Sequence, residues 1–552
     1  MAAPTASATG AAPGLSRSIG FWGLTFISLG SIIGSGWLLG ALTAAKSAGP
    51  ASLLSWVLAA IMLAVLALIH AELGGAYPAS GGTARYPLFA FGTLAGFTAG
   101  WATWLQSVAI APIEVEASLS YLNNIEWVKS NANLLHENGT LTLSGIFWAT
   151  LLMAVFTVVN IIGIKLLSDS NTITVIWKTA VPVLTVIILV SLTFHASNFT
   201  AGGGFAPYGA HGIFAALPAG VVFALQGFEQ AIQVSGEAKN PQKDISRAVI
   251  VATMIGTTVY ILLEIAFIGA LDPAALVDGW KNPIGAGDFG PYASLAAGAG
   301  AAWLAYVLYA DAFISPAGTG LVYIATSARA TYAMGRTKVL PAGLGKLTVR
   351  GVPLASIVLA FLIGELTFLP FPSWSALVGV VTSATAIMYA FAPVSLAALR
   401  LRDPDRPRPY HLPFPKVLAP LGFIFANTII YWSGFDTTLK LLVAIFVGRV
   451  LFEVTLALTK PEDRPEIDWR AASWIWPWLV GDLVIGLFGQ YGNWGNLKIL
   501  PEFVDLLVVA VFSLVVFYFA VSVAMVSDDV IATVDQQKEE MEAIEAEVKL
   551  AD

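Results

Sequence analysis

Two glycine-rich segments carry the residues with the clearest potential for chemistry. The first reads GSIIGSGW over residues 30–37, and the second reads LQGFE over residues 225–229, shortly after Pro218 and Gly220. Glycine destabilises a continuous helix because its backbone is the least restricted. Where a helix is interrupted, its N–H and C=O groups lose their internal partners and become available to a ligand. Both segments therefore predict binding sites made largely by main-chain groups.

The elements that must position these segments are long apolar runs. The chain has 552 residues, of which 57% are hydrophobic and 11% charged, whereas a soluble domain has about 25% charged residues. Such a composition predicts an all-α polytopic membrane protein. Inside a bilayer, an interrupted helix is tolerated only where it borders a cavity, because hydrocarbon offers no hydrogen bonds. The glycine segments therefore indicate a site within the membrane.

About fourteen apolar runs approach the roughly 20 residues that cross a bilayer. They cover residues 19–44, 52–77, 93–121, 143–163, 172–195, 212–236, 248–270, 293–328, 352–370, 374–399, 417–433, 437–459, 473–489 and 504–526. The pair on either side of Gly434 is the least distinct.

The two glycine segments lie in the first and sixth runs, which begin two successive groups of five. This placement is typical of inverted repeats with broken first helices; close helix packing is the alternative explanation of glycine in a span. We expect a first repeat over 15–200, a second over 201–410 and accessory spans over 411–526. The ends, 1–14 and 527–552, are expected to be a disordered tail and an acidic tail.

Basic residues predict the orientation of the chain. With a cytoplasmic N-terminus, 21 of the 28 lysines and arginines fall on the inside and five on the outside. The positive-inside rule therefore favours two cytoplasmic termini in the cell (plasma or inner) membrane.

Several protein classes are excluded by residue types. There is no cysteine, and the five histidines have no metal-ligand spacing such as HExxH. No GxxxxGK[ST] motif occurs, which argues against an ATP-driven pump. We expect no cofactor, no metal, no nucleic acid partner and no enzyme activity, although a membrane enzyme or a non-transporting sensor is the alternative class.

Five ordered motifs resemble those of the amino acid–polyamine–organocation superfamily of transporters. They are GSIIGSGW (30–37), ELGGAYPASGGTARY (72–86), GFE with EAKNPQK (227–243), ARATYAMGR with LP (328–341), and RLR with RPYHLP (400–413). The opening motif, AAKSAGP at 44–50 and the number of runs look most like the aspartate–proton symporter subgroup. Ser246 and Trp37 depart from the common residues of the superfamily.

The resemblance implies a LeuT-like bundle of two inverted five-helix repeats plus about four further C-terminal helices. It also implies that the broken helices bind an amino acid. Amides at the start of a half-helix suit its carboxylate, freed carbonyls suit its ammonium group, and Trp37 or Phe228 could close over it. The expected substrate-binding residues are Ile32, Ile33, Gly34, Ser35, Gly36, Trp37, Phe223, Ala224, Gln226, Gly227, Phe228 and Glu229.

Charged residues inside spans are costly and are often functional. Proton-coupled members of the superfamily place a lysine in the fifth span, which Lys178 resembles. An amine can hold or release a proton, and Asp311 with Ser315 is its expected partner in proton coupling. A lysine reaching the membrane surface and a fixed structural pair are the alternatives.

Other intramembrane charges have less definite roles. Glu229 is the expected substrate or proton contact, with a hydrogen-bonded structural carboxyl as the alternative. Glu114 and Glu116 cannot both face a pore, because they are two residues apart on a helix. Glu264 and Glu365 are expected to be peripheral or paired, and Arg449 and Glu453 are expected to form an ion pair.

The expected function is secondary active transport of an amino acid by alternating access. Proton-coupled symport is the leading mechanism, with aspartate or glutamate as candidate substrates. An amino acid exchanger and a carrier of an organic or inorganic cation are the alternatives. The bilayer, protons and a small amino acid are the expected partners.

Overall fold

A computed structural model describes residues 19–78, 81–162, 164–285, 290–348, 352–369 and 373–525. Within these ranges the regular structure is helical, and pairing between extended segments is limited to two isolated bridges, Ile19 with Ala238 and Leu135 with Leu141. The predicted all-α class is confirmed. The two expected tails, 1–14 and 527–552, lie outside the described residues.

The α-helices are numbered in chain order. The first ten are α1 (Phe21–Ile32), α2 (Ser35–Ala48), α3 (Ser52–Ala76), α4 (Gly82–Phe91), α5 (Thr93–Leu122), α6 (Glu126–Asn131), α7 (Leu143–Ile162), α8 (Ile164–Thr193), α9 (Gly209–Ala216) and α10 (Val222–Leu225). The others are α11 (Gln230–Gln233), α12 (Pro241–Ala270), α13 (Pro291–Gly298), α14 (Ala302–Arg336), α15 (Leu354–Thr367), α16 (Trp374–Arg402), α17 (Pro415–Trp432), α18 (Phe435–Leu458), α19 (Ile475–Phe488) and α20 (Val504–Val523).

Eight helical segments of the described chain are long and apolar enough to cross a membrane. They are Ser35–Ala76, Leu143–Ile162, Thr174–Thr193, Pro241–Ala270, Ala302–Arg336, Trp374–Arg402, Phe435–Leu458 and Val504–Val523. A helix rises 1.5 Å per residue, so about 20 residues span the hydrocarbon layer. The total of about fourteen spans stays a prediction.

Most apolar runs correspond to a single helix. The exceptions are the runs at 19–44 and 212–236, which contain the glycine segments and are interrupted, and the run at 293–328. That last run is divided between α13 and α14, and Gly300 between them has a φ of +79°. Left-handed backbone of this kind ends a helix at little cost only at glycine.

The core is formed by helices that are distant in sequence. Helix α5 packs along α14 and α16, and α3 packs along α12. Helix α16 also contacts α17, α18 and α20, so it lies between the earlier helices and the C-terminal group.

A buried carboxylate joins α3 to the segment after α16. Glu72 Oε1 accepts a hydrogen bond from Arg400 Nε at 2.7 Å and lies 3.4 Å from Arg408 Nε. Its Oε2 accepts from Arg400 Nη2 at 2.5 Å and from the amide of Leu412 at 2.6 Å. Removing one partner of such a buried pair costs about 3–5 kcal/mol. Two of the five sequence motifs, at 72–86 and 400–413, therefore meet at one structural joint.

Candidate functional site

The first glycine segment interrupts a helix, as predicted. Helix α1 ends at Ile32, and α2 begins at Ser35. Ile33 (φ −90°, ψ 81°) and Gly34 (φ −114°, ψ −146°) between them are not helical. We call Ile33–Gly34 the first break.

The second glycine segment is interrupted at Gln226 and Gly227. The segment Leu217–Val221, which is kinked at Gly220 (φ 166°, ψ −25°), joins α9 to α10, which ends at Leu225. Gln226 is extended (φ −76°, ψ 161°) and Gly227 has a φ of +118°, a conformation that strongly favours glycine. The residues between α10 and α11, 226–229, form the second break.

The two breaks lie directly against each other. A Cβ atom added to Gly227 would lie 2.9 Å from the backbone nitrogen of Ile32, and one added to Gly36 would lie 2.8 Å from Cα of Ala224. Ser28 reinforces the contact, since its Oγ donates to the carbonyl of Phe228 at 2.8 Å and accepts from the amide of Ala231 at 3.1 Å. Glycine is required here for close approach of two backbones.

A cavity borders both breaks. In this conformation its volume is about 10 Å³, room for about one water molecule. Its lining consists of Ser31, Ile32, Gly34, Gly36, Ile110, Glu114, Phe223, Gln226, Thr319 and Tyr323. Five of these, Ile32, Gly34, Gly36, Phe223 and Gln226, belong to the predicted substrate-binding set.

The start of α2 already has an anionic partner. The amide of Ser35 donates to Glu114 Oε2 at 2.9 Å, and its hydroxyl donates to Oε1 at 3.1 Å. Trp374 Nε1 in turn donates to Ser35 Oγ at 3.0 Å. The positive end of a helix attracts a carboxylate, so a substrate carboxylate at this helix end would share it with Glu114.

Lys178 lies on the other side of the first break. Its side chain is only 2% exposed, and its Nζ donates to the carbonyl of Gly30 at 2.7 Å and to Thr319 Oγ1 at 2.6 Å. The amine is therefore buried and held between α1 and α14.

Asp311 is not in direct contact with Lys178. Its Oδ1 accepts from Ser315 Oγ at 2.7 Å and from Trp177 Nε1 at 2.7 Å, while its Oδ2 accepts from Trp37 Nε1 at 3.1 Å. The two charged residues are connected through α14, because Thr319 Oγ1 also donates to the carbonyl of Ser315 at 3.3 Å. Ser315 thus belongs to the Asp311 group, as the sequence suggested.

The two aromatic residues expected to close over a ligand pack elsewhere in this conformation. Trp37 stacks on Tyr292 with ring centroids 5.5 Å apart, and Phe228 stacks on Tyr389 at 4.8 Å. Among the described residues, the aromatic ones that line the cavity are Phe223 and Tyr323. The closing role of Trp37 and Phe228 stays a prediction.

Glu229 stabilises the second break. Its Oε2 accepts from the amide of Gly227 at 3.0 Å and from Tyr389 OH at 2.5 Å, and its Oε1 accepts from Gln230 at 3.4 Å. This is the geometry of the alternative interpretation, a packed carboxyl that is fully hydrogen-bonded.

The remaining intramembrane charges have local partners or none. Glu264 accepts from Ser52 and from Trp56 Nε1, Glu365 accepts from Thr150, and Arg449 pairs with Glu453 as predicted. Both carboxyl oxygens of Glu116 are buried and have no hydrogen-bond partner among the described residues.

Several site residues were not assigned from the sequence. The spacing placed Thr319 two turns after Asp311 on the same helix face, and Glu114 was visible as a carboxyl within a span. Nothing in the sequence showed that the two meet at Gly34. Tyr260, which donates to the carbonyl of Ile32 at 2.8 Å, and Tyr323 and Trp374 resemble the many aromatic residues of a membrane protein. Only the packing of distant helices distinguishes them.

Comparison with known proteins identifies the family of the chain. The profile of the family described as "Amino acid permease" matches residues 19–452. The glutamate/serine transporter AimA of Bacillus subtilis is 36% identical over 511 residues, covering 92% of this chain and 94% of that protein. The aspartate–proton symporter of the same organism is 34% identical over 508 residues, covering 91% and 96%. A branched-chain amino acid permease, BcaP of B. subtilis, is 28% identical over 458 residues, covering 81% and 94%. The chain belongs to the amino acid permease family of the amino acid–polyamine–organocation superfamily, and it is a multi-pass membrane transporter, not an enzyme.

Proposed function

We propose that this protein is a proton-coupled symporter that moves an amino acid across the cell membrane by alternating access, with both termini in the cytoplasm. The observation that carries the proposal is the cavity between two helix breaks, with a buried lysine beside the first of them. Two relatives are a glutamate/serine transporter and an aspartate–proton symporter, which makes aspartate, glutamate and serine the first substrates to test.

The proposed architecture is a LeuT-like bundle of two inverted repeats, 15–200 and 201–410, with accessory helices over 411–526. Helix packing supports it, because equivalent helices of the two halves contact each other: α3 with α12, α5 with α14, and α7 with α15. Reciprocal contacts support it further, with α16 as the equivalent of α8. The contact of α8 with α14 corresponds to that of α16 with α5, and the contact of α8 with α12 corresponds to that of α16 with α3. A two-fold axis between the halves requires such reciprocity.

The proposed substrate lies in the cavity with its carboxylate toward the start of α2. Amides of Ser35, Gly36 and Trp37 and the helix dipole would attract it. Its ammonium group would face carbonyls such as those of Ile33, Phe223 and Ala224, and the Glu114 carboxylate is a further partner for a cation. Gly34 lies between Glu114 and Thr319, since a Cβ added there would lie 2.8 Å from Glu114 Oε1 and 3.2 Å from Thr319 Oγ1.

The proposed proton carrier is Lys178, with Asp311 and Ser315 in the same network. The amine holds the end of α1 against α14 through Gly30 and Thr319. Gain or loss of its proton changes the charge and the number of donors at that joint. Since the joint is beside the first break, a proton on Lys178 and a substrate in the cavity would influence each other's binding.

One observation favours a second candidate, a carrier of organic or inorganic cations. Among the described residues that line the cavity, Glu114 is the one with a charged side chain, and a carboxylate in an apolar site attracts cations. Amino acid exchange without proton coupling is the other alternative.

The decisive experiment is uptake of labelled aspartate, glutamate and serine into proteoliposomes, with and without an inward proton gradient. Concentrative uptake that an ionophore abolishes is the expected result. Uptake that ignores the gradient but requires internal amino acid would replace symport with exchange. If none of the amino acids enters while a labelled polyamine or K⁺ analogue does, the cation carrier is the better description.

A further inference from the structure

Gln226 has an unusual environment for a buried amide. It lines the cavity, its side chain is only 3% exposed, and neither its Nε2 nor its Oε1 has a hydrogen-bond partner among the residues that the structure describes. Leaving a buried polar group unpaired costs about 1–3 kcal/mol. A buried side chain with two such atoms, on a residue that lines a cavity, is therefore suited to recognising a ligand.

The chemistry of a carboxamide limits what that ligand can be. Nε2 offers donors and Oε1 offers an acceptor. An ionised carboxylate can only accept, so it would leave Oε1 unpaired. A hydroxyl or a second carboxamide both donates and accepts, and it can pair with both ends of Gln226.

The charges around the cavity disfavour an acidic side chain. Glu114 lies on the lining, and the nearest buried cation, Lys178, already donates to Gly30 and Thr319. The side-chain carboxylate of aspartate or glutamate would therefore enter a site that offers it no lysine, arginine or histidine among the lining residues described. A charge without a partner in a medium of low dielectric constant is costly.

We propose that the site selects small neutral amino acids whose side chain both donates and accepts a hydrogen bond, of the serine, threonine and asparagine class, and that Gln226 recognises this side chain. Ile110, Phe223 and Tyr323 on the lining set the size limit. The inference rests on the proposed amino acid transport and adds its substrate class.

Serine and alanine test the role of Gln226, because they differ by one hydroxyl group. Initial rates of labelled serine and alanine uptake into proteoliposomes are compared for the wild-type protein, for Gln226→Met and for the control Gln233→Met. Gln233 donates to Thr83 at 2.6 Å, away from the cavity lining. We expect the wild-type protein to favour serine in kcat/KM by about tenfold, the effect of one buried hydrogen bond. Gln226→Met should reduce this ratio to near one, and Gln233→Met should preserve it.

Each other outcome has a definite meaning. A wild-type serine-to-alanine ratio near one overturns the inference without any variant, so a poorly folding variant does not prevent the test. Equal losses for serine and alanine in Gln226→Met also overturn it, since Gln226 would then hold groups common to all amino acids. Preference for aspartate over serine overturns the substrate class but leaves proton-coupled transport standing. Absence of any amino acid uptake rejects the proposed function itself.

Discussion

Lys178 and Glu114 approach the first break from two different helices. Glu114 of α5 holds the amide of Ser35, and Lys178 of α8 holds the carbonyl of Gly30. Each side chain therefore pairs with the end of a half-helix whose partial charge is opposite to its own. Movement of α1 relative to α2 must change at least one of these contacts, which makes the pair sensitive to both substrate and conformation.

The proposed role of Lys178 is tested by Lys178→Ala. We expect the substitution to remove the stimulation of uptake by an inward proton gradient, because the titratable amine at the joint between α1 and α14 is lost. The measurement is labelled amino acid uptake in proteoliposomes, with Lys129→Ala on the exposed helix α6 as the control. Uptake by Lys178→Ala that still responds fully to the gradient would exclude this lysine from coupling.

The two broken helices depend on glycine for different reasons. Gly227 has a left-handed backbone conformation, whereas Gly36 lies in regular α2 and provides space for α10. The two helices consequently approach more closely than side chains permit, and the ends of three half-helices, α1, α2 and α10, border one cavity. This close approach is the structural basis for a binding site built from main-chain groups.

Substitution of Gly36 tests whether that approach is needed for transport. A Cβ at Gly36 would lie 2.8 Å from the backbone of Ala224, whereas a Cβ at Gly40, one turn later, would have its nearest neighbour, the Trp56 ring, at 3.6 Å. We expect Gly36→Ala to lower uptake by about tenfold or more, since overpacking of this kind costs about 1–3 kcal/mol. Gly40→Ala should transport normally, and thermal unfolding of both variants separates loss of fold from loss of activity. Normal uptake by Gly36→Ala, or by the bulkier Gly36→Leu, would contradict the close-packed site.

The whole molecule extends beyond the region that the family profile matches. Helices α19 and α20 follow residue 452, and residues 489–503 between them, here called the α19–α20 connection, pack on α9. His211 of α9 stacks on Tyr491 at 4.6 Å and lies 3.3 Å from Glu502. The C-terminal part of the chain thus contacts the first part of the second broken helix.

The contribution of this contact is tested by Tyr491→Ala. Removing the ring eliminates its stacking on His211 and its hydrogen bond to Glu502, at 3.3 Å. We expect a lower apparent melting temperature in detergent, because an aromatic pair contributes about 1 kcal/mol beyond the area it buries. Trp127→Ala, at an exposed position of α6, is the control. An unchanged melting temperature for Tyr491→Ala would show that the α19–α20 connection does not stabilise α9.

The sequence by itself determined the class of the molecule and the positions of its helices. Apolar runs such as 52–77, 374–399 and 437–459 coincide with α3, α16 and α18 to within a few residues, because hydrophobic length is a property of the local chain. The interruptions at 30–37 and 225–229 were predictable for the same reason, since glycine acts on the backbone where it occurs. The motifs also identified the superfamily.

Only the tertiary structure decided which polar residues meet. Glu114 and Thr319 come from two helices and meet beside Gly34, and Lys178 from a third helix donates to Thr319. Glu229, the stronger candidate from its sequence position, is occupied in stabilising the second break. Spacing along a single chain cannot reveal such contacts, because they depend on how helices far apart in sequence rotate and pack. The amide of Gln226, which has no hydrogen-bond partner among the described residues, became apparent for the same reason, because an unpaired group is recognised only when its neighbours are in place.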